Sequence, residues 1–197
     1  MRIELDKTLI KKAAKGDANA FGEIYFALRG TIYGFAYRML IDSEMAEDVM
    51  QEVFIFFIEH PEKYDEVRGE LLPFLCGVAR NRIFHQLRKA KSQPEIFQED
   101  IEDFTELKNE IIGNPLTFLL DEELVKIVDK EITKLPPFQR EIFILREIED
   151  LSYQEISQIT GVPIDSLKAR LYRARRTLAK ELKPYLQCQE EKNYEMC

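Results

Sequence analysis

The tightest constraint on this chain lies near its C-terminus. Ser152-Tyr153-Gln154-Glu155 is followed by Thr160-Gly161-Val162-Pro163, and then by an amphipathic stretch from Ile164 to about Leu182. Ser152 and Glu155 have capping-box spacing, in which hydroxyl and carboxylate each satisfy an orphan N–H at a helix start. Gly161 suits a turn residue with an unusual dihedral, and Pro163 suits the opening of a new helix. A short helix, a glycine-containing turn and a longer basic helix predict a helix-turn-helix.

The longer helix resolves into faces at about 100° per residue. Leu167, Leu171, Ala174 and Leu178 form its core stripe. Asp165, Ala169, Tyr172 and Arg176 lie opposite, flanked by Lys168, Arg173 and Lys180. Recognition helices present N-terminal side chains to base edges and cations to phosphates. The simpler alternative is a solvated amphipathic helix with a charged outer face. Pro136-Pro137 opens a helix upstream, with Pro137 suited to a first turn.

Helical periodicity persists through nearly the whole chain, and 8 Gly and 8 Pro in 197 residues are few. The fold class expected is all-α, with two small helical domains joined by an acidic linker. Residues 1–91 form the first domain, with three or four helices. Residues 92–130 form the linker, and a short helix is expected at about 121–133, across its end. Residues 131–184 form the second domain, and 185–197 a polar, frayed tail.

Two helices of the first domain carry information. At 42–59, Ala46, Val49, Met50, Val53 and Phe57 face the core, while Asp48, Gln51, Glu52, Ile55 and Glu59 face out. An acidic face with an exposed isoleucine suits a protein partner more than DNA. At 70–91, Leu72, Leu75, Ala79, Ile83 and Leu87 form the core stripe. The opposite side carries Phe74, Asn81, Phe84 and Arg88, with Arg80 and Lys91 at its edge. Bases stack on aromatics, amides read base edges and cations hold phosphates, so this side fits single-stranded nucleic acid. The alternative is that Phe74 and Phe84 pack under a neighbouring helix.

The formal charge of −8 excludes a uniformly basic nucleic-acid coat. Its distribution is more informative. Residues 80–91 carry five basic and no acidic side chains, and 165–183 carry seven basic and two acidic. Each island is +5, and the remaining residues sum to −18. Both islands fall on the helices singled out above.

Other classes find little support. There is no glycine-rich phosphate loop or nucleophile motif, so an enzyme is not indicated and no cofactor is expected. His60, His85 and Cys76 are too scattered for zinc. No apolar run approaches the ~18–20 residues of a membrane span, and acids interrupt Met1-Arg2-Ile3-Glu4-Leu5-Asp6-Lys7 where a signal peptide would be apolar. Three cysteines make no disulfide framework. A cytoplasmic protein with reduced thiols is expected, Cys188 and Cys197 being either idle or a redox pair.

The motifs resemble those of one family. Gly16-Asp17 with Ala20-Phe21, then Ala46-Glu47-Asp48-Val49 with Gln51-Glu52-Val53-Phe54, then Arg68-Gly69, Phe74-Leu75 and Ala79-Arg80-Asn81 resemble the sigma-2 domain of extracytoplasmic-function (group 4) sigma factors. Leu135-Pro136, Leu151-Ser152-Tyr153 with Glu155-Ile156, Gly161-Val162-Pro163, and Lys168 with Arg170-Leu171 through Arg173-Ala174-Arg175 resemble sigma-4. The matches cover most of the chain in family order.

The resemblance implies a factor that directs core RNA polymerase to promoters and helps open the −10 region. Asp48, Gln51, Glu52 and Ile55 would meet the clamp helices of the polymerase β′ subunit. Tyr64, Phe74, Arg80, Asn81, Phe84 and Arg88 would serve the −10 element, with Asn81 and Tyr64 at a flipped base. Sigma-4 would sit on the β flap and place Asp165, Ser166, Lys168, Ala169, Tyr172, Arg173 and Arg176 in the −35 major groove. An anti-sigma factor is a further implied partner. The family usually has Trp at Phe74 and often Asp at His85, which touches the −10 sequence preference rather than the class. The alternative function is a sigma-like decoy that titrates an anti-sigma factor, although a decoy need not keep both basic islands. A simple helix-turn-helix repressor leaves the N-terminal half unexplained.

Non-specific DNA binding scales with phosphates neutralised, so the −18 outside the islands predicts weak binding to free duplex DNA. A gel shift should show tight, specific binding only with core polymerase present. A tight specific shift by the protein alone would contradict this.

Overall fold

Aspartates start three of the first helices. Asp6 caps α1 (Lys7–Ala14) by accepting from Thr8 N at 2.9 Å. Asp17 caps α2 (Ala18–Leu40) by accepting from Asn19 N and Ala20 N at 2.9 and 3.0 Å. Asp42 caps α3 (Ser43–Glu59) from Met45 N at 2.9 Å. Each satisfies donors that a helix start leaves orphaned. Ile41 lets the chain turn from α2 to α3 in a left-handed conformation, with φ 62°.

The computed structural model describes residues 5–67, 69–90 and 122–194, with side chains at 5–67, 69–89 and 125–185. Arg68, Lys91, most of the expected linker and the thiols of Cys188 and Cys197 lie outside these. Among the described residues there is no strand, and the class is all-α as expected.

Helix α2 is the axis of the first unit. Its buried residues Ile24, Leu28, Ile32, Phe35, Ala36 and Met39 pack against α1, α3 and α4 (Leu71–Ala90). The predicted core side of α3 is buried throughout. In α4, Leu72, Leu75, Ala79 and Ile83 are buried as expected, but Leu87 is only half-buried. Pro73 stands in the first turn of α4, where its missing N–H costs nothing. A 3-10 turn, Pro61–Lys63, leads into the loop before α4.

The second unit begins with α5 (Glu122–Lys134), a helix that straddles residue 130, where the linker was expected to end. Helix α6 (Pro137–Phe143) opens on Pro137, then widens into a π-helical turn at Ile144–Ile148. Helix α7 (Tyr153–Thr160) carries the predicted capping box. Ser152 N donates to the Glu155 carboxylate at 2.7 Å, and Glu155 N donates to Ser152 Oγ at 3.3 Å. Gly161 takes φ 73°, and Ser157 Oγ ties the turn down by donating to Val162 O at 2.8 Å.

Helix α8 runs from Ile164 to Tyr194, past the end expected near Leu182. Pro184 lies inside it. Proline removes one donor from the ladder, but the residues after it include Leu, Gln, Glu and Lys, all good helix formers. The predicted stripe of Leu167, Leu171, Ala174 and Leu178 is buried, and Leu182 extends it.

The two units do not stand apart. Helix α4 packs on α7, and the C-terminal part of the chain reaches α2 through α5 and α6. Buried residues from both units form one continuous apolar cluster. Truncating the fully buried Leu75 to Ala should lower unfolding free energy by about 2–5 kcal/mol, and Ser152→Ala by about 1 kcal/mol. Chemical denaturation followed by circular dichroism measures both.

Candidate nucleic-acid interface

On α4, the side expected to face water does so only in part. Asn81, His85 and Arg88 are exposed. Arg88 Nε also donates to the Phe84 carbonyl at 3.1 Å. Phe74 is half-buried, with its ring edge-on to Tyr64 at 5.6 Å between centroids. Tyr64 donates its hydroxyl to Gly69 O at 3.2 Å, which fixes the loop ahead of α4. Burial and the nearby Glu66 and Glu70 hold the Tyr64 phenol above its ordinary pKa, so it keeps its proton. Tyr64 and Phe74 thus meet at the N-terminal end of α4, about two turns ahead of the exposed Asn81.

Two expectations fail here. Phe84 is 5% exposed, stacked on Phe138 of α6 at 5.5 Å between centroids. Arg80, with 18% of its side chain exposed, donates from Nε to the Glu141 carboxylate at 2.5 Å. Its guanidinium also lies 4.7 Å from the Phe84 ring centre. Neither side chain is presented to solvent, because α6 lies over that stretch of α4. Packing under a neighbouring helix, the alternative weighed for Phe84, is what the structure has.

Glu141 and Phe138 are the residues that sequence reasoning missed. Glu141 is 1% exposed. Desolvation pushes its carboxyl pKa up, while Arg80 and Arg170 of α8 pull it down. The Arg170 guanidinium sits 5.1 Å from the Phe138 ring centre. One signal was available: Arg140-Glu141 interrupts a segment, Phe138 to Leu145, that is otherwise mostly apolar. Arg140 itself donates to Met39 O at 2.9 Å and Leu135 O at 3.0 Å, and also to the Thr133 carbonyl. Arg38 donates to Asp129 at 2.8 Å.

On α8, Asp165, Lys168 and Arg176 are exposed, while Ser166, Tyr172 and Arg173 are half-buried. Asp165 and Lys168 pair at 3.5 Å. Ala169 was expected on the outward face but is 3% exposed. Helical side chains lean toward the N-terminus, so a methyl group is easily covered by longer side chains one turn further on. Arg175 pairs with Glu147 at 2.5 Å, joining α8 to the π-helical turn.

On α3, Asp48, Gln51, Glu52 and Ile55 are all exposed, as predicted. Ile58, one turn beyond Ile55, extends this face. Glu52 also meets Arg82 of α4 at 3.2 Å. Phe26 of α2, 68% exposed, carries Arg29 over its ring at 4.9 Å. Neither Ile58 nor Phe26 was singled out from sequence. Among the described residues, no cluster of His, Cys, Asp and Glu could hold a metal, and no helix is long and apolar enough to cross a membrane.

Residues 24–93 match the model for sigma-70 region 2, and 126–178 match sigma-70 region 4. The chain is 31% identical to the ECF RNA polymerase sigma factor SigW of Bacillus subtilis, covering 90% of this chain and 96% of that one. Its fold resembles the sigma factor RpoE of Bartonella quintana, solved with the anti-sigma factor NepR, at TM-score 0.62 and 23% identity over 83% of this chain and 96% of that one. CnrH, solved with the cytosolic domain of CnrY, gives TM-score 0.64 and 21% identity over 91% and 97%.

Burial pushes Glu149 up to about 7 from its ordinary 4.5, with Arg38 opposing. The folded protein therefore binds a proton that the unfolded chain releases. Stability should fall as pH rises from about 4.5 to about 7 and flatten above. Denaturation midpoints across that range should show a slope that Glu149→Gln reduces.

Proposed function

Because the chain belongs to the extracytoplasmic-function sigma factors of bacterial RNA polymerase, it is a promoter-directing initiation factor, and we propose how its surfaces share that task. It is not an enzyme, and the decoy alternative is not favoured. Residues 1–91 serve as the sigma-2 domain, 131–184 as the sigma-4 domain, 92–130 as the acidic connection and 185–197 as the tail. The observation that carries this division is the pair of +5 islands, on α4 and α8, in a chain whose net charge is −8.

The α3 face of Asp48, Gln51, Glu52 and Ile55 meets the β′ clamp helices. An acidic rim steers the partner, and the isoleucine supplies apolar area. Tyr64, Phe74 and Asn81 hold an unstacked base of the −10 element. Flipping costs a few kcal/mol, which aromatic stacking offsets. Arg88 holds a backbone phosphate beside that base, while Arg80 and Phe84 are covered by α6 and engaged with Glu141 and Phe138. On α8, Asp165, Ser166 and Lys168 stand at the N-terminal end that enters the −35 major groove. Tyr172, Arg173 and Arg176 follow along the backbone, and Ala169, being buried, takes no part. The second unit also rests on the β flap. The site of action is the cytoplasm, and the two solved relatives in complexes with regulatory partners support an anti-sigma factor as a third partner.

Run-off transcription from a cognate promoter should appear only when this protein is added to core polymerase. Arg173→Ala with Arg176→Ala should cut the transcript on the order of tenfold or more, since each removes a phosphate contact. Unchanged activity would remove α8 from the −35 element. Asn81→Ala should reduce promoter opening, read by permanganate footprinting, more than polymerase binding.

A further inference from the structure

We propose that Arg175 is a positioning residue for base readout rather than a phosphate ligand. With Glu147 of the π-helical turn it fixes the orientation of α8, and so which −35 base edges Asp165 and Lys168 reach. The proposal rests on the assignment of α8 to the −35 element.

Arg175 is one of the seven bases of the 165–183 island, yet its charge is already engaged. Its Nη2 donates to Glu147 Oε1 at 2.5 Å, and the Glu147 side chain is only 5% exposed. A buried carboxylate needs its partner, so releasing Arg175 to a phosphate would strand Glu147. One residue further on, about 100° round the helix, Arg176 is exposed. Adjacent arginines of one island thus have different tasks: Arg176 faces the phosphates and Arg175 holds the helix.

The π-helical turn is shaped to make that contact. Glu149 N donates to Ile144 O at 3.0 Å, a spacing of five residues in place of four. The wider turn re-aims the side chains along it. Arg146 Nη1 donates to Leu151 O at 2.8 Å, and its guanidinium lies 5.2 Å from the Tyr153 ring centre. Leu151 directly precedes Ser152, the cap of α7. Arg146 therefore ties down the start of α7 while Glu147 ties down α8. Two neighbouring side chains of one turn set both helices of the helix-turn-helix.

The apolar stripe of α8 does not fix its orientation alone. Leu167, Leu171, Ala174, Leu178 and Leu182 are buried, but apolar burial is non-directional and tolerates a small roll. Charge-assisted hydrogen bonds have a preferred geometry. Arg170, acting on Glu141 and lying over Phe138, holds α8 at one point. Arg175 supplies the second, and two points define an orientation. With Arg170 as the only pivot, Asp165 lies about 7.5 Å beyond it. A tilt of about 10° then moves that end by roughly 1.3 Å, more than the ~0.5 Å range over which N–H···O bonds form. Side chains that read base edges lose their partners at such a displacement, whereas long cations still reach phosphates.

The test removes the direction and keeps the packing. Glu147→Leu with Arg175→Met replaces the pair by apolar side chains of similar size, a change that buried ion pairs often accept without loss of stability. The melting temperature of the free protein should stay within about 3 °C of wild type. With core polymerase, the ratio of run-off transcript from the cognate promoter to that from one with a scrambled −35 element should fall at least tenfold. An unchanged ratio overturns the proposal. A larger drop in melting temperature identifies the pair as a stabilising contact and overturns it too. On the scrambled promoter, where phosphates carry the binding, the double variant with core polymerase should keep the wild-type slope of log affinity against log salt. Arg176→Ala should lower that slope by about one. A slope lowered by about one in the double variant makes Arg175 a phosphate ligand and overturns its positioning role. Unchanged transcription by Arg173→Ala with Arg176→Ala removes α8 from the −35 element, and the positioning role with it, whatever the Glu147 and Arg175 variant does.

Discussion

The structure turns on two adjacent charges in α6, Arg140 and Glu141, both buried. An unpaired buried charge costs several kcal/mol, so each must find partners, and each reaches across the molecule to do so. Arg140 covers backbone carbonyls at the end of α2 and after α5, groups that helix ends leave without partners. Glu141 gathers Arg80 from α4 and Arg170 from α8. One turn of helix thereby sets the position of α2, α4, α5 and α8 relative to one another. Phe138, two and three residues ahead of them, adds the ring contact that Phe84 and Arg170 share.

This constraint gives the charge distribution a second meaning. A net charge of −8 with two basic islands predicts weak indiscriminate binding to DNA. Within the fold, part of that negative charge does more than repel phosphates. Glu141 pairs with a cation of the α4 island, and Glu147 pairs with Arg175 of the α8 island. The α3 face remains open, with Asp48, Gln51, Glu52 and Ile55 exposed while Arg80 and Phe84 are covered. The α3 face proposed for polymerase is therefore open, whereas the stretch of α4 around Arg80 and Phe84 is covered by α6.

Much of this was legible in the sequence. The capping box at Ser152 and Glu155, the turn at Gly161, the first-turn Pro137 and the core stripes of α3 and α8 rest on local chemistry, and the structure has them all. The extension of α8 beyond Pro184 was missed because the polar tail was expected to fray, although it contains good helix formers. Ala169 was misplaced because angular position on a helical wheel ignores side-chain length, and its short methyl group is 3% exposed.

What the sequence determined by itself is which segments are helical, where they are capped, and which side of each is apolar, because those properties depend on residues three or four positions apart. Only the tertiary structure decided what covers the other side of α4. Phe84 on a mixed face satisfies a nucleobase and a neighbouring phenyl ring equally well, and Arg80 satisfies a phosphate and a carboxylate equally well. The choice was made by Phe138 and Glu141, more than fifty residues away, and no helical period carries information over that distance.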